Sequence, residues 1–292
     1  MQSRKGSVKF RIIDRIEVRT PIPYTVTLHH RTSNLKMSSY AVIGARGGTG
    51  KALVKALLTF DTTAKVRAIV RDPSVVTADW ITNEKVELIK GDVTNPTSLD
   101  FSNTDTVFFA ASGKGYDLCQ KVDRDGVLST AKQCQKDGVR RMVLISSGLV
   151  DPINRWNFIR GILNTINTGL FHSLGMMDFK FEGENLLRSS GQEYTIIRPG
   201  RLGDDARDLT KAVPGVGQTN GGFLNGSVVD RELLAYVAIE AATSEHTKNV
   251  TFELGTKPPA TLVEDTTSTE DMFSTLVQDT KRTEMESTTC GQ

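Results

Sequence analysis

From Ser39 onward, short apolar runs alternate with stretches whose apolar residues recur every three or four positions. The short runs, bounded by turn residues, read as buried strands, and the recurring pattern reads as helices packed on them. Strands are predicted at 40–43, 66–70, 86–89, 106–110, 141–145, 194–197 and 250–253. Helices are predicted at 51–59, 117–136, 173–190 and 230–242, with a short helical turn opened by Pro96. Regular alternation of this kind specifies an α/β fold, a doubly wound parallel sheet with helices on both faces. Right-handed crossovers bring the carboxyl ends of the strands to one edge, where ligands bind in such sheets.

The two ends of the chain break the pattern. Residues 1–37 carry Arg4, Lys5, Lys9, Arg11, Arg15, Arg19 and Arg31 against Asp14 and Glu17, with hydroxyl residues between them. That composition suits an organelle transit peptide, although Pro21 and Pro23 interrupt an amphipathic helix; a disordered extension and a shorter product starting at Met37 are the other readings. Residues 256–292 are rich in Thr, Ser and acids, and Pro258 and Pro259 mark where the fold, taken as 38–255, is expected to end. A short helix around 272–277, with Met272, Phe273, Leu276 and Val277 as its apolar face, is the one segment of the tail able to dock; disorder is expected otherwise.

Composition removes several classes of function. A net charge of +2 on 292 residues creates no field that would select nucleic acid or an acidic membrane as the main partner. Cys119, Cys134 and Cys290 have neither metal-ligand nor disulfide spacing, so no metal site and no secreted, oxidised framework is expected. The longest apolar stretch, 158–177, is broken by Arg160, Asn164, Asn167 and His172 and is no membrane span. A soluble protein of the cytoplasm or an organelle stroma, plastid included, is the expectation.

The informative chemistry begins at Tyr40–Val54, where the first strand breaks into Gly44-Ala45-Arg46-Gly47-Gly48-Thr49-Gly50 and a helix follows. Gly44 permits a sharp turn, Gly47 lets a diphosphate approach bare backbone, and Gly50 lets the helix lie close to the sheet. The helix N-terminus aims free amides at a phosphate. At the tip of the second strand, Arg71 would pair with a 2′-phosphate and so favours NADP(H) over NAD(H), with Arg46 as a second contact; Asp72 argues the other way. After the third and fourth strands, Asp92 and Val93 are placed to meet the adenine, and Ala110, Ala111 and Ser112 leave room for the cofactor's sugar.

Together with Val122-Asp123 leading to Gly126, Val143 through Gly148 and Tyr194 through Gly200, these motifs resemble the atypical short-chain dehydrogenase/reductases, in particular the NmrA-like NAD(P)-binding branch. The resemblance covers 39–254 and implies a Rossmann domain with a small substrate lobe formed by insertions after the fifth and sixth strands. It implies that Ser147 holds a substrate oxygen, that Lys180 binds the nicotinamide ribose, and that Pro199 borders the cofactor. Four residues before Lys180, where the family's proton-donating tyrosine belongs, stands Met176. A thioether cannot deliver a proton. The resemblance therefore implies either an NADPH-dependent oxidoreductase acting on a flavin, a quinone or, with His172 or Ser173 as donor, a carbonyl compound, or a non-catalytic NADP(H) sensor or scaffold. The insertions 149–175 and 201–227 would cover the nicotinamide end, with Trp156, Phe158 and Phe171 as an apolar lid or a partner-facing surface. Gly215, Gly217, Gly221, Gly222 and Gly226 would give the second insertion freedom to move.

Overall fold

The computed structural model describes residues 38–169, 174–203, 213–219, 228–257 and 269–282. In chain order the elements are β1 (Ser39–Ile43), α1 (Gly48–Phe60), β2 (Lys65–Val70), β3 (Val86–Lys90), β4 (Thr106–Phe109), α2 (Tyr116–Cys119), α3 (Gly126–Asp137), β5 (Arg141–Ile145) and α4 (Phe158–Thr168). They continue with α5 (Met176–Ser189), β6 (Tyr194–Pro199), β7 (Arg201–Gly203), β8 (Val213–Gly217), β9 (Val228–Asp230), α6 (Arg231–Thr243), β10 (Val250–Lys257) and α7 (Thr269–Ser274).

One sheet runs β3-β2-β1-β4-β5-β6-β10-β8, parallel throughout except for β8, which pairs antiparallel to β10 at the edge. This is the Rossmann-like, doubly wound arrangement that the alternating pattern predicts, with β1 central between β2 and β4. The period-2 geometry of a strand sorts its side chains into two cores. Val42, Phe108, Val143 and Ile197 face one core with α1 and α6, while Ala41, Ile43, Val107 and Met142 face the other with residues from α3 and α5. The near-continuous apolar runs follow from both faces being covered.

Three sequence expectations need correction. The helix predicted as one piece over 117–136 is interrupted by a π-turn at Gln120–Asp125 between α2 and α3. The extra residue in that turn is packed tightly: a Cβ on Gly183 of α5 would sit 2.1 Å from the Asp123 carbonyl. Second, the insertion after β5 contains a full helix, α4, on which Phe158, Ile159, Ile162, Leu163 and Ile166 recur at helical spacing. Third, Gly215 and Gly217 lie in β8, paired with Gly255 and Glu253, and so are not a source of loop freedom. The insertions after β5 and β6 supply α4 and the two-stranded β7–β9 sheet.

The tail helix α7 starts three residues earlier than predicted. Its Met272 and Phe273 are buried, and the Phe273 ring lies 5.6 Å from that of Phe252 on β10. Beyond it, Asp279 accepts from Tyr194 Oη at 2.9 Å, from Thr251 Oγ1 at 2.6 Å and from Thr251 N at 2.9 Å. Residues 283–292, 258–268 and 1–37, including the candidate transit segment, lie outside the described residues.

The α6–α7 contact has a pH consequence. Burial raises the Glu240 carboxyl from 4.5 to about 7, Thr269 opposes the shift, and Glu270 adds to it. Among the described residues, Glu240 Oε2 has no hydrogen-bond partner. Between about pH 4.5 and 7 the unfolded chain gives up this proton first, so the contribution to stability falls as pH rises through that window. Glu240→Gln should therefore leave the stability at pH 4 nearly unchanged and raise it at pH 8 by at most about 3 kcal/mol. Denaturant melts across that range check the slope.

Candidate functional site

The turn after β1 is built as an anion cradle. Gly44 adopts φ +80°, and a Cβ there would come within 2.9–3.0 Å of the Ala110 and Ala111 backbone after β4. At Gly50 the space is smaller still, since a Cβ would meet the Gly44 carbonyl oxygen at 2.2 Å and the Ala45 Cα at 2.7 Å. Gly47 is exposed, and a Cβ there would meet only Gly44 O, at 3.3 Å. The first turn of α1 has no side-chain cap and no acid, which leaves its amides to an outside acceptor. Ala45 is buried beneath the turn, Arg46 and Gly48 are exposed, and Thr49 is half-buried. This donor set fits a diphosphate. The sequence reading missed Arg231 of α6, whose Nε lies 2.9 Å from the position a Gly48 Cβ would take.

Beside the cradle, the exposed tips of β2 and β3 are basic. Arg71 and Lys90 are both exposed. Asp72, which argued for a ribose diol, is engaged within its own turn: Oδ1 accepts from Ser74 Oγ at 2.6 Å and from Ser74 N at 3.0 Å, capping the turn Pro73–Val75. Those two hydrogen bonds, helped by Lys90 and Arg46, hold its carboxyl below the usual aspartate value. Asp92 is likewise engaged locally, accepting from Thr94 N at 2.9 Å and Thr94 Oγ1 at 2.8 Å. Val93 is buried against the start of α3, where a Gly126 Cβ would lie 2.8 Å from Val93 Cγ2.

Across the sheet edge, Asp123, part of the Val122-Asp123 motif but given no role from sequence, is the organising group. Its side chain is almost fully buried, aimed inward from the π-turn, and it accepts from Ser112 Oγ at 2.8 Å, Gly113 N at 2.9 Å and Lys180 Nζ at 2.7 Å. A mid-helix π-turn often marks a functional site because it re-aims one side chain. Lys180 is thus fixed by an ion pair from α5 to the helix opposite. A cavity of about 10 Å³, room for about one water, lies between Phe109, Ala111, Asp123, Leu144, Ser146 and Lys180. Burial, with Asp123 adding to it, pushes the nearby Cys119 thiol up to about 11, so it stays protonated at neutral pH.

The structure brings Ser146, rather than Ser147, to that cavity. Ser146 is also bound to Glu184, whose buried carboxylate accepts from Ser146 Oγ at 2.5 Å, Arg198 Nη2 at 2.6 Å and Arg188 Nη2 at 2.9 Å. Ser147 is half-buried, and among the described residues its hydroxyl makes no hydrogen bond. Met176 opens α5, one turn before Lys180. Pro199 ends β6, its carbonyl accepting from Gly148 N at 3.0 Å. His172, Ser173, Phe171, Gly221, Gly222 and Gly226 lie outside the described residues.

A family profile described as NAD(P)H-binding matches residues 44–245, from the turning glycine to just past the end of α6. The chain belongs to the NAD(P)H-binding family. An uncharacterized chloroplastic protein of Arabidopsis thaliana is 29% identical over 219 residues, covering 72% of this chain and 74% of that one. Among solved structures, an oxidoreductase from Lactococcus lactis aligns with a TM-score of 0.64 at 18% identity, covering 81% of this chain and 95% of its own. A short-chain dehydrogenase/reductase from Veillonella parvula in complex with NADP aligns with a TM-score of 0.59 at 21% identity, covering 76% and 95%. At these identities the two structures speak for the fold. An NAD(P)H-binding protein of this architecture holds its ligand along the strands' carboxyl edge, the edge on which the glycine cradle and Lys180 both lie.

Proposed function

We propose that this chain is an NADPH-dependent oxidoreductase of the atypical short-chain dehydrogenase/reductase kind that prefers NADP(H) to NAD(H). The observation that carries the reading is the engagement of Asp72 by Ser74 beside basic Arg46 and Lys90, with Arg71 next to it in sequence. Ser74 takes up Oδ1 and leaves Oδ2 as the oxygen Asp72 can still offer a ribose diol, whereas the neighbouring guanidinium pairs well with a 2′-phosphate. In this reading the amides of Gly48, Thr49 and Gly50 take the diphosphate, and Lys180 takes the nicotinamide ribose. Ser147, with its hydroxyl unengaged, orients the acceptor. The bound nicotinamide supplies the hydride. No tyrosine stands at Met176 to return a proton, so the acceptors that fit are flavins and quinones, whose oxygens and nitrogens are protonated by water.

Arg71→Ala should weaken NADP(H) at least tenfold more than NAD(H) in equilibrium titration, since it removes a charge-assisted contact made only to the 2′-phosphate. Equal loss for both would sink the preference. Turnover is checked by following NADPH oxidation with flavin, quinone and carbonyl acceptors, with Lys180→Ala as the control. A second reading, a non-catalytic NADP(H) sensor, is favoured by the Lys180–Asp123 pair, which engages one of the three ammonium hydrogens and ties the side chain to a structural partner. Tight binding without turnover of any acceptor would select it. The chloroplastic relative supports a plastid location.

A further inference from the structure

We propose that the helix α4, with the turn before it, docks the protein onto the surface of a lipid bilayer. The observation is a helix packed inside out. Arg160 and Asn164 face the protein: Arg160, 2% exposed, donates to Asp178 Oδ1 at 2.6 Å and to the Asp151 carbonyl at 2.6 Å. Asn164 donates to Asp178 Oδ2 at 3.1 Å and accepts from Met177 N at 2.9 Å. These bonds fix the rotation of α4 on the start of α5. Its apolar residues are thereby turned outward, with Phe158 81% and Ile166 72% exposed, Ile159 and Ile162 on the same side, and Ile153 and Trp156 in the turn ahead. A water-facing helix normally shows the opposite arrangement, and a contiguous exposed apolar patch marks an interaction site.

The chemistry of the patch selects the occupant. Residues 152–169 contain no acid, and the one exposed cation, Arg155, lies over the Trp156 ring at 5.6 Å. Indole and guanidinium belong at headgroup depth, with phenyl and isoleucine side chains below them at the acyl boundary. A stable dimer needs about 20–30 residues a side, far more than six side chains on one helix and one turn. The eleven residues of α4 are too short to cross a bilayer, and no described helix is long and apolar enough to do so. They lie in the interface plane instead. The docking is independent of the nucleotide reading.

The test is vesicle partitioning of the full chain without nucleotide. Of the two tryptophans, Trp80 is buried and Trp156 is 87% exposed, so a change in emission reports α4. With phosphatidylcholine vesicles, emission should shift to the blue and brominated lipid should quench it. The partition coefficient should fall by about tenfold or more in the Phe158→Ser/Ile166→Ser double variant and stay unchanged in Val75→Ser, an exposed apolar residue outside the patch. Because insertion is apolar, 0.5 M NaCl should change binding by less than about twofold. Absence of partitioning in the wild-type chain overturns the proposal. So does a concentration-dependent dimer that the double variant abolishes, which would assign the face to a second copy.

Discussion

Glu184→Ala will lower the stability of the folded chain by about 3–5 kcal/mol. The carboxylate is fully buried and joins three elements: Ser146 at the end of β5, Arg198 on β6 and Arg188 one turn along α5. Burial alone would raise its pKa; Arg198, Arg188 and Ser146 reverse that and hold it below the usual glutamate value. Removing the carboxylate leaves Arg198, 2% exposed, with Asp151 at 3.6 Å as its remaining ion-pair partner. At 2–4 °C per kcal/mol the thermal midpoint should fall by roughly 10 °C, and calorimetry reads this directly. The depressed pKa also means that this stabilisation holds at neutral pH and is lost as pH falls through the folded value. A variant melting within about 2 °C of the parent would show that the network contributes little net stability.

Gly50→Val should abolish nucleotide binding. Its Cβ would lie 2.2 Å from a backbone oxygen and 2.7 Å from a backbone Cα, neither of which can rotate aside. The turn must open or α1 must lift from the sheet, and in either case the amides of Gly48 and Thr49 leave their common focus. Gly47→Ala is the control, because a Cβ there meets one atom at 3.3 Å. We expect a loss of at least 100-fold in affinity for either coenzyme with Gly50→Val, in keeping with loss of an anion site built from backbone donors, and a far smaller loss with Gly47→Ala. Isothermal titration checks the ratio, and the far-UV spectrum reports whether α1 and the sheet remain.

The strands and the cradle were legible because a sheet covered on both faces forces apolar runs, and a close-packed turn forces glycine. Gly44 and Gly50 carry their geometry in their identity, since other residues there would collide. Asp123 was legible as part of a motif, but its role was not. As one acid in a helical stretch it looks like a solvated charge, and only the π-turn, which has no compositional mark, aims it at Lys180. Ser146 and Ser147 show the same limit: two adjacent serines at a strand end point to opposite faces, and the residue that chooses between them, Glu184, is 38 positions away. Asp72 was ambiguous for a related reason, because a short hydrogen bond two residues along the chain decides what its carboxylate is still able to accept. In α4 the spacing of Phe158, Ile159, Ile162, Leu163 and Ile166 is that of an amphipathic helix; what the sequence does not carry is which stripe faces the protein.

The Asp279 carboxylate, which ties Tyr194, Thr251 and Arg188 together, leaves the ribosome after every strand of the sheet has been made. Until it emerges, the amide of Thr251 and the phenol of Tyr194 await an acceptor that lies 28 residues beyond Thr251. Closure of this part of the sheet therefore waits for a residue that follows its last strand, and a nascent chain released before that point would carry an open seam along β6 and β10.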